Sequence, residues 1–115
     1  MNDVLDLKKY MHRNANIYSG RDCGKNARKD LNIDDKDNDE NTYIVYLNKR
    51  TTLVASSFFL GLFGISVRKL GKNKFNSKYK FNLEDFAEED AKIISQDIKD
   101  YIDKAIKEVF FYVWF

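Results

Sequence analysis

Apolar and polar residues fall into blocks of different period along this chain. Residues 42–48, TYIVYLN, are aromatic and β-branched, the composition of a strand, and their inner positions are nearly all apolar, which predicts burial on both faces. Residues 51–54 predict a short extended piece at the edge of the sheet. A helix is predicted from about Ser57 to Leu70 and stops at Gly71, a residue type that ends helices readily. Residues 79–82 alternate and predict a second strand. Further on, Phe86, Ala87, Ala91, Ile94, Ile98, Tyr101, Ile102, Ala105 and Val109 recur at three- and four-residue steps, which predicts a long amphipathic C-terminal helix. Asn82 and Asp85 mark its start, and Glu84, Glu88 and Glu89 suit the positive end of its dipole.

The pattern is weaker upstream. Residues 1–15 are mixed and charged and read as a loose N-terminal segment. Residues 16–20 predict an extended piece ending in a turn, and residues 21–31 a polar surface helix with Gly24 as its weak point. Residues 32–41, NIDDKDNDEN, read as an acidic loop. Asp35, Asp37 and Asp39 alternate like the start of a calcium loop, but Glu40 and Tyr46 stand where such a loop needs Gly and Glu, so no metal site is expected. No internal repeat is visible. The order of elements predicts a single α/β domain over residues 1–115.

The helix after residue 56 has more apolar surface than one sheet can cover. At steps of about 100°, Phe59, Leu60, Phe63, Val67 and Leu70 gather on one side, while Phe58, Leu62 and Ile65 form a second side. Covering one sheet face requires an apolar stripe of only about 100°. The surplus calls for a second helix of the same chain or for a partner. The apolar tail 109–115, which contains Phe110, Phe111, Trp114 and Phe115, poses the same question: it packs back over the sheet or forms a contact surface.

Charge and rare residues narrow the chemistry. Twenty basic and eighteen acidic side chains nearly cancel, to +2, so net charge makes no case for a dedicated nucleic-acid or membrane-surface binder. One cysteine, Cys23, excludes an internal disulfide, and one histidine, His12, leaves the adjacent Ser56 and Ser57 without an evident base. Cys23 lies near two basic residues that would favour its thiolate, against the simpler reading of an inert, partly buried thiol. The N-terminus has no signal-peptide pattern, and the longest apolar stretch is shorter than the about 20 residues of a bilayer span. A cytoplasmic protein without a cofactor is expected.

The segment TTLVASSFFLGLFGISVRKLG followed by KFNSKYKFN resembles the central signature of the STAS-like domains of unknown function, small bacterial and phage proteins related in pattern to the STAS anti-anti-sigma regulators. IYSGRDCGKNARKDL is similar to that family's opening segment, and the resemblance covers about residues 17 to 106. It implies a β-sheet of about four strands backed by helices, and a role in binding proteins rather than in catalysis. In STAS regulators the turn between strand and helix carries Asp-Ser-Ser-Gly, and the serine after Asp is phosphorylated by a partner kinase. Ser56 matches that serine, while Ala55 and Phe58 stand at the Asp and Gly positions. Phosphate at a helix start would meet free N–H groups and the positive dipole end. The alternative role for Ser56 and Ser57 is to cap the helix.

These readings converge on a small non-enzymatic regulator, of phage or mobile-element type, that acts by partner switching or by inhibiting an enzyme or toxin. The expected partner is a kinase-like ATPase or the inhibited protein itself, with homodimerisation through the aromatic end compatible. The expected contact surface combines Ser56, Ser57, Phe58, Leu62, Ile65, Phe110, Phe111, Trp114 and Phe115. The alternative is a nucleic-acid accessory protein using Arg21, Lys25 and Arg28, with Lys49, Arg50, Arg68, Lys69 and Lys72 adding to the basic surface.

Overall fold

The strand predicted at 42–48 lies at the centre of the molecule. The computed structural model describes residues 2–113, with side chains from 3 to 108. Its elements run β1 (Asn2–Asp6), β2 (Ile17–Tyr18), α1 (Arg21–Asp30), α2 (Ile33–Asn38), β3 (Thr42–Tyr46), β4 (Leu53–Val54), α3 (Ser56–Leu70), α4 (Lys72–Lys78), β5 (Tyr79–Asn82) and α5 (Glu88–Val113), with a 3-10 turn at Lys8–Tyr10. The protein is therefore an α/β structure with a long C-terminal helix. Its strands form two sheets rather than one. A three-stranded sheet has the order β1-β3-β5, and a two-stranded sheet joins β2 to β4; these strands pair in parallel, and an isolated antiparallel bridge joins His12 to Ile17.

Parallel neighbours need long crossovers, and the helices supply them. With sequential strands side by side, right-handed crossovers put all of these helices on one face of the main sheet. Burial follows this arrangement. Leu5, Tyr43, Val45 and Tyr79 point into the core, whereas Val4 and Lys80 are exposed. β3 consequently alternates between buried and half-buried residues instead of being enclosed on both faces as the sequence pattern predicts.

An aromatic cluster fills the space between sheet and helices. Phe59 and Phe63 of α3 meet Phe75 of α4 and Phe81 of β5, and Phe63 also lies 4.9 Å, centroid to centroid, from Tyr79. Such aromatic pairs add to the area they remove from water. From α5, Ile94, Ile98, Ile102 and Ala105 close the cluster, and the Tyr101 hydroxyl donates to the Val54 carbonyl at 2.7 Å.

Several upstream expectations are corrected. The segment 1–15, expected to be loose, is ordered over its described residues: β1 pairs with β3 along its length, and Leu5, Leu7 and Met11 are core residues. The acidic stretch 32–41 is mostly helix, because Ile33 anchors α2 in the core and Asp37 is buried with partners. Residues 51–54 contribute β4 to the small sheet, not an edge to the main one. Asn82 caps a turn by accepting the Glu84 N–H at 2.9 Å, and α5 begins later, at Glu88.

A repeat invisible in the sequence is also present in the topology. Strand, short strand, helix and short helix occur in that order twice, as β1-β2-α1-α2 and as β3-β4-α3-α4. The principal helices α1 and α3 touch backbone to backbone. A Cβ at Gly24 would overlap the Phe58 carbonyl oxygen, and one at Gly61 the Arg21 carbonyl oxygen. Gly24 is thus the contact point of the two helices rather than a weak point of one.

Candidate functional site

Because β2 and β4 are parallel neighbours, the helices that follow them begin side by side, which places the Ser56-Ser57 pair against the start of α1. The N-cap of α3 is Ala55, and no side chain caps this helix. The cap role expected of these serines is therefore not the one found. Ser56 is the first residue of α3 and is half-buried. The Ser57 hydroxyl accepts the N–H of Gly20, the N-cap of α1, at 3.0 Å. Its oxygen thus links the two helix starts.

The same corner holds His12 and Cys23. His12 Nε2 lies 3.1 Å from the Ser19 carbonyl oxygen and 3.8 Å from Cys23 Sγ. A carbonyl can only accept, so Nε2 carries the proton in that contact. The nitrogen nearest the thiol is then a donor and cannot act as its base.

The apolar second side of α3 divides into covered and open parts. Phe58 and Leu62 are each 1% exposed, so neither is available to a partner. Phe58 packs on Tyr18, and α1 closes over both residues through its glycine contact. The second helix of the same chain accounts for most of the surplus. Ile65 alone of the three remains open, at 51% exposure. It lies at a cavity of about 390 Å³ bounded by Lys25, Arg28 and Lys29 of α1 and by Asn32, Asp34 and Asp35. The expected contacts of Phe110, Phe111, Trp114 and Phe115 lie outside the described side chains.

Arg28 is not a surface cation. Its Nη1 donates to the Leu62 carbonyl and to Ser66 Oγ, both at 2.8 Å, and its Nη2 donates to Asp34 at 2.6 Å and to Asp37 at 2.9 Å. The fully buried Asp37 carboxylate also accepts from Ser66 Oγ and from the Tyr79 hydroxyl, each at 2.7 Å. Burial, followed by the hydrogen bond to this carboxylate, pushes the Tyr79 hydroxyl far above the ordinary phenol range, so it remains a donor. A buried ion pair is tolerated only when its remaining hydrogen-bonding groups are met, and here they are. Among the described residues, no buried side-chain nitrogen or oxygen lacks a partner. Arg28 therefore leaves the anion-binding set expected from sequence. Arg21 is drawn towards Glu108 at 3.7 Å, and Lys25 remains exposed.

A second polar group joins α4 to the turn before β3. Lys78 Nζ donates to the Asp39 carboxylate and carbonyl, both at 2.7 Å, and to the Asn41 carbonyl at 2.9 Å. Desolvation pushes the Asp39 carboxyl upward, but hydrogen bonds from Lys78, Tyr43 and the Asn41 N–H outweigh it and bring the group down to about 2.

Sequence reasoning missed both groups. Ser66, a hydroxyl inside the apolar helix, was the available signal for the first, since a buried hydroxyl needs a polar partner. No local pattern points to Arg28 and Asp37 as its partners, or to the pairing of Lys78 with Asp39 in the second group. Among the described residues no helix is long and apolar enough to cross a membrane. No protein-family model, curated protein or solved structure matches the chain.

Proposed function

We propose that this chain is a small non-enzymatic regulator with a STAS-like architecture that works by binding a protein partner, and that it does so through the surface around Ile65. One observation carries the reading. Of the apolar second side of α3, only Ile65 is open, and it stands beside a cavity with lysines on its wall. Arg28 answers the carboxylates of both Asp34 and Asp37 there, and Lys25, Lys29 and Asp35 line the rest of the wall, so its charges balance. An open apolar side chain beside balanced charges favours a partner segment with one apolar side chain flanked by charged residues of both signs. A kinase-like ATPase, or an enzyme or toxin inhibited by the chain, fits the STAS-like reading. Ser57 already holds two helix starts together, which leaves Ser56 as the hydroxyl for any phosphorylation control.

Affinity capture from the native host with the wild type, Ile65→Glu and Ser56→Asp tests this reading. The expected outcome is a partner lost with Ile65→Glu; loss with Ser56→Asp as well would support a switch. Identical captured proteins for the wild type and Ile65→Glu would overturn the surface. Retention of DNA or RNA that weakens steeply with salt would instead favour the nucleic-acid alternative.

A further inference from the structure

Each strand of the main sheet is paired by the strand of the next unit until β5, which has no successor. Strand residues turn their N–H and C=O groups to alternate edges. The Tyr79 N–H is bonded to the Phe75 carbonyl at the end of α4, so Lys80 and Asn82 serve β3, and Phe81 turns its N–H and C=O outward. No described group outside the sheet meets them. α5 does answer the small sheet, where the Tyr101 hydroxyl takes the Val54 carbonyl, but it makes no such bond to β5. Between this edge and α5 runs a groove of about 250 Å³ lined by Phe81, Ile98 and Ile102, with Lys80 on the strand side and Lys99 on the helix side. That volume is below the roughly 300–1,000 Å³ of small-molecule pockets and suits one apolar side chain. Past Leu83 the groove opens into a wider depression that includes Ile93, 59% exposed. No carboxylate lines the groove. Other lysines that meet α5 are answered, Lys92 by Glu88 at 3.5 Å and Lys72 by Asp103 at 3.2 Å, but Lys80 and Lys99 have no ion-pair partner among the described residues.

We propose that this edge receives an extended acidic segment of a partner protein, which pairs with β5 as a further strand of the sheet. Main-chain hydrogen bonds to Phe81 hold the segment, and the alternation of its side chains sets its composition. An apolar residue enters the groove beside Phe81 and Ile98, while its two neighbours turn to the other face of the sheet, where carboxylates meet Lys80. Lys99 attracts the same charge from the helix side. Neither edge of a second copy fits. A second β5 would bring its own Lys80 and Lys99, and edge lysines of this kind keep like strands apart. β1 carries Asp3 and Asp6, but its inward apolar residue, Leu5, is 1% exposed in its own core and cannot enter the groove. The groove shares no residue with the cavity at Ile65, so this inference stands apart from that surface.

The test titrates the full chain with a short labelled peptide of alternating glutamate and valine, read by fluorescence anisotropy and by amide hydrogen exchange. Saturation is expected with a Kd between about 10 μM and about 1 mM, and exchange of the Phe81 amide should slow. Lys80→Glu and Lys99→Glu, each checked for folding by circular dichroism, are expected to weaken binding about threefold to tenfold. The double reversal should prefer a peptide of alternating lysine and valine. Methylating alternate backbone nitrogens of the peptide should abolish binding for one set and spare it for the other, a signature of strand pairing that charge attraction alone lacks. No binding up to about 1 mM, equal binding by the two methylated peptides, or indifference to both reversals would overturn the proposal. Self-association of the chain that the peptide disperses would make a second copy the occupant and overturn it as well.

Discussion

The two repeated units share a topology but hold their principal helices by opposite means. In the first, α1 is polar, and its buried residues are Gly24, Ala27 and Arg28. In the second, α3 buries nine residues, three of which are phenylalanines and two leucines. α3 is held by apolar area on two sides, the aromatic cluster beneath and α1 above. α1 has little apolar area to offer, and it is held by close backbone approach and by one arginine with a full set of acceptors. A polar helix can thus occupy the same structural role as an apolar one when its contacts are short and fully paired.

The sharpest way to break this comparison is to remove the arginine. Arg28→Ala leaves the Asp37 carboxylate buried without its cation, and it is expected to cost about 3–5 kcal/mol, read from the denaturant midpoint. A double variant that also replaces Asp37 by Asn should recover part of that loss, because the stranded charge is gone. Equal losses for the single and double variants would show that the ion pair is not what anchors α1.

The helix contact predicts a smaller effect. Gly61→Ala gains helix propensity, yet its methyl group runs into the Arg21 carbonyl, and the helices must separate. The expected cost is about 1–3 kcal/mol, the range for overpacking. Gly64 provides the control, since a Cβ there meets only ordinary contacts, none closer than 3.5 Å. Gly64→Ala is therefore expected to leave the melting temperature level or to raise it.

The Asp39–Lys78 group sharpens the comparison least in energy but most in sign. The Asp39 carboxyl is held at about 2, below its ordinary 3.8. Its stabilising effect is therefore complete above about pH 4 and is lost as pH falls toward 2. In thermal melts, the wild type and Asp39→Asn should differ most at neutral pH and converge across that window. A gap independent of pH would refute the assignment.

The legibility of these features in sequence follows the range over which each is determined. α1, β3, α3, β5 and α5 were readable because each carries its own periodicity or composition. The boundary at Gly71 was readable too, and its φ of 82° is one that glycine adopts without strain. α2 was not readable, because its acidic residues favour a loop locally and only Ile33 and Asp37, once buried, select the helix. β1 was hidden for a similar reason. As an edge strand it alternates Val4 outward and Leu5 inward among charges, and its pairing with β3 is remote in sequence. The apolar surplus on α3 was correctly detected, but periodicity could not say whether α1 or a partner would cover Phe58 and Leu62. The buried polar groups had no local signature beyond Ser66.

The absence of antiparallel pairing within the main sheet also shapes how the chain must assemble. Asn2 pairs with Thr42, and Tyr43 with Tyr79, so no strand of this sheet can zip onto its neighbour through a tight turn. Each pairing waits for an intervening crossover to close its loop, an arrangement that slows folding relative to local contacts. On the ribosome, β1 emerges first yet has no strand to join until β3 is clear of the exit. β1 is thus made well before its partner β3, and it spends that interval as an unpaired edge.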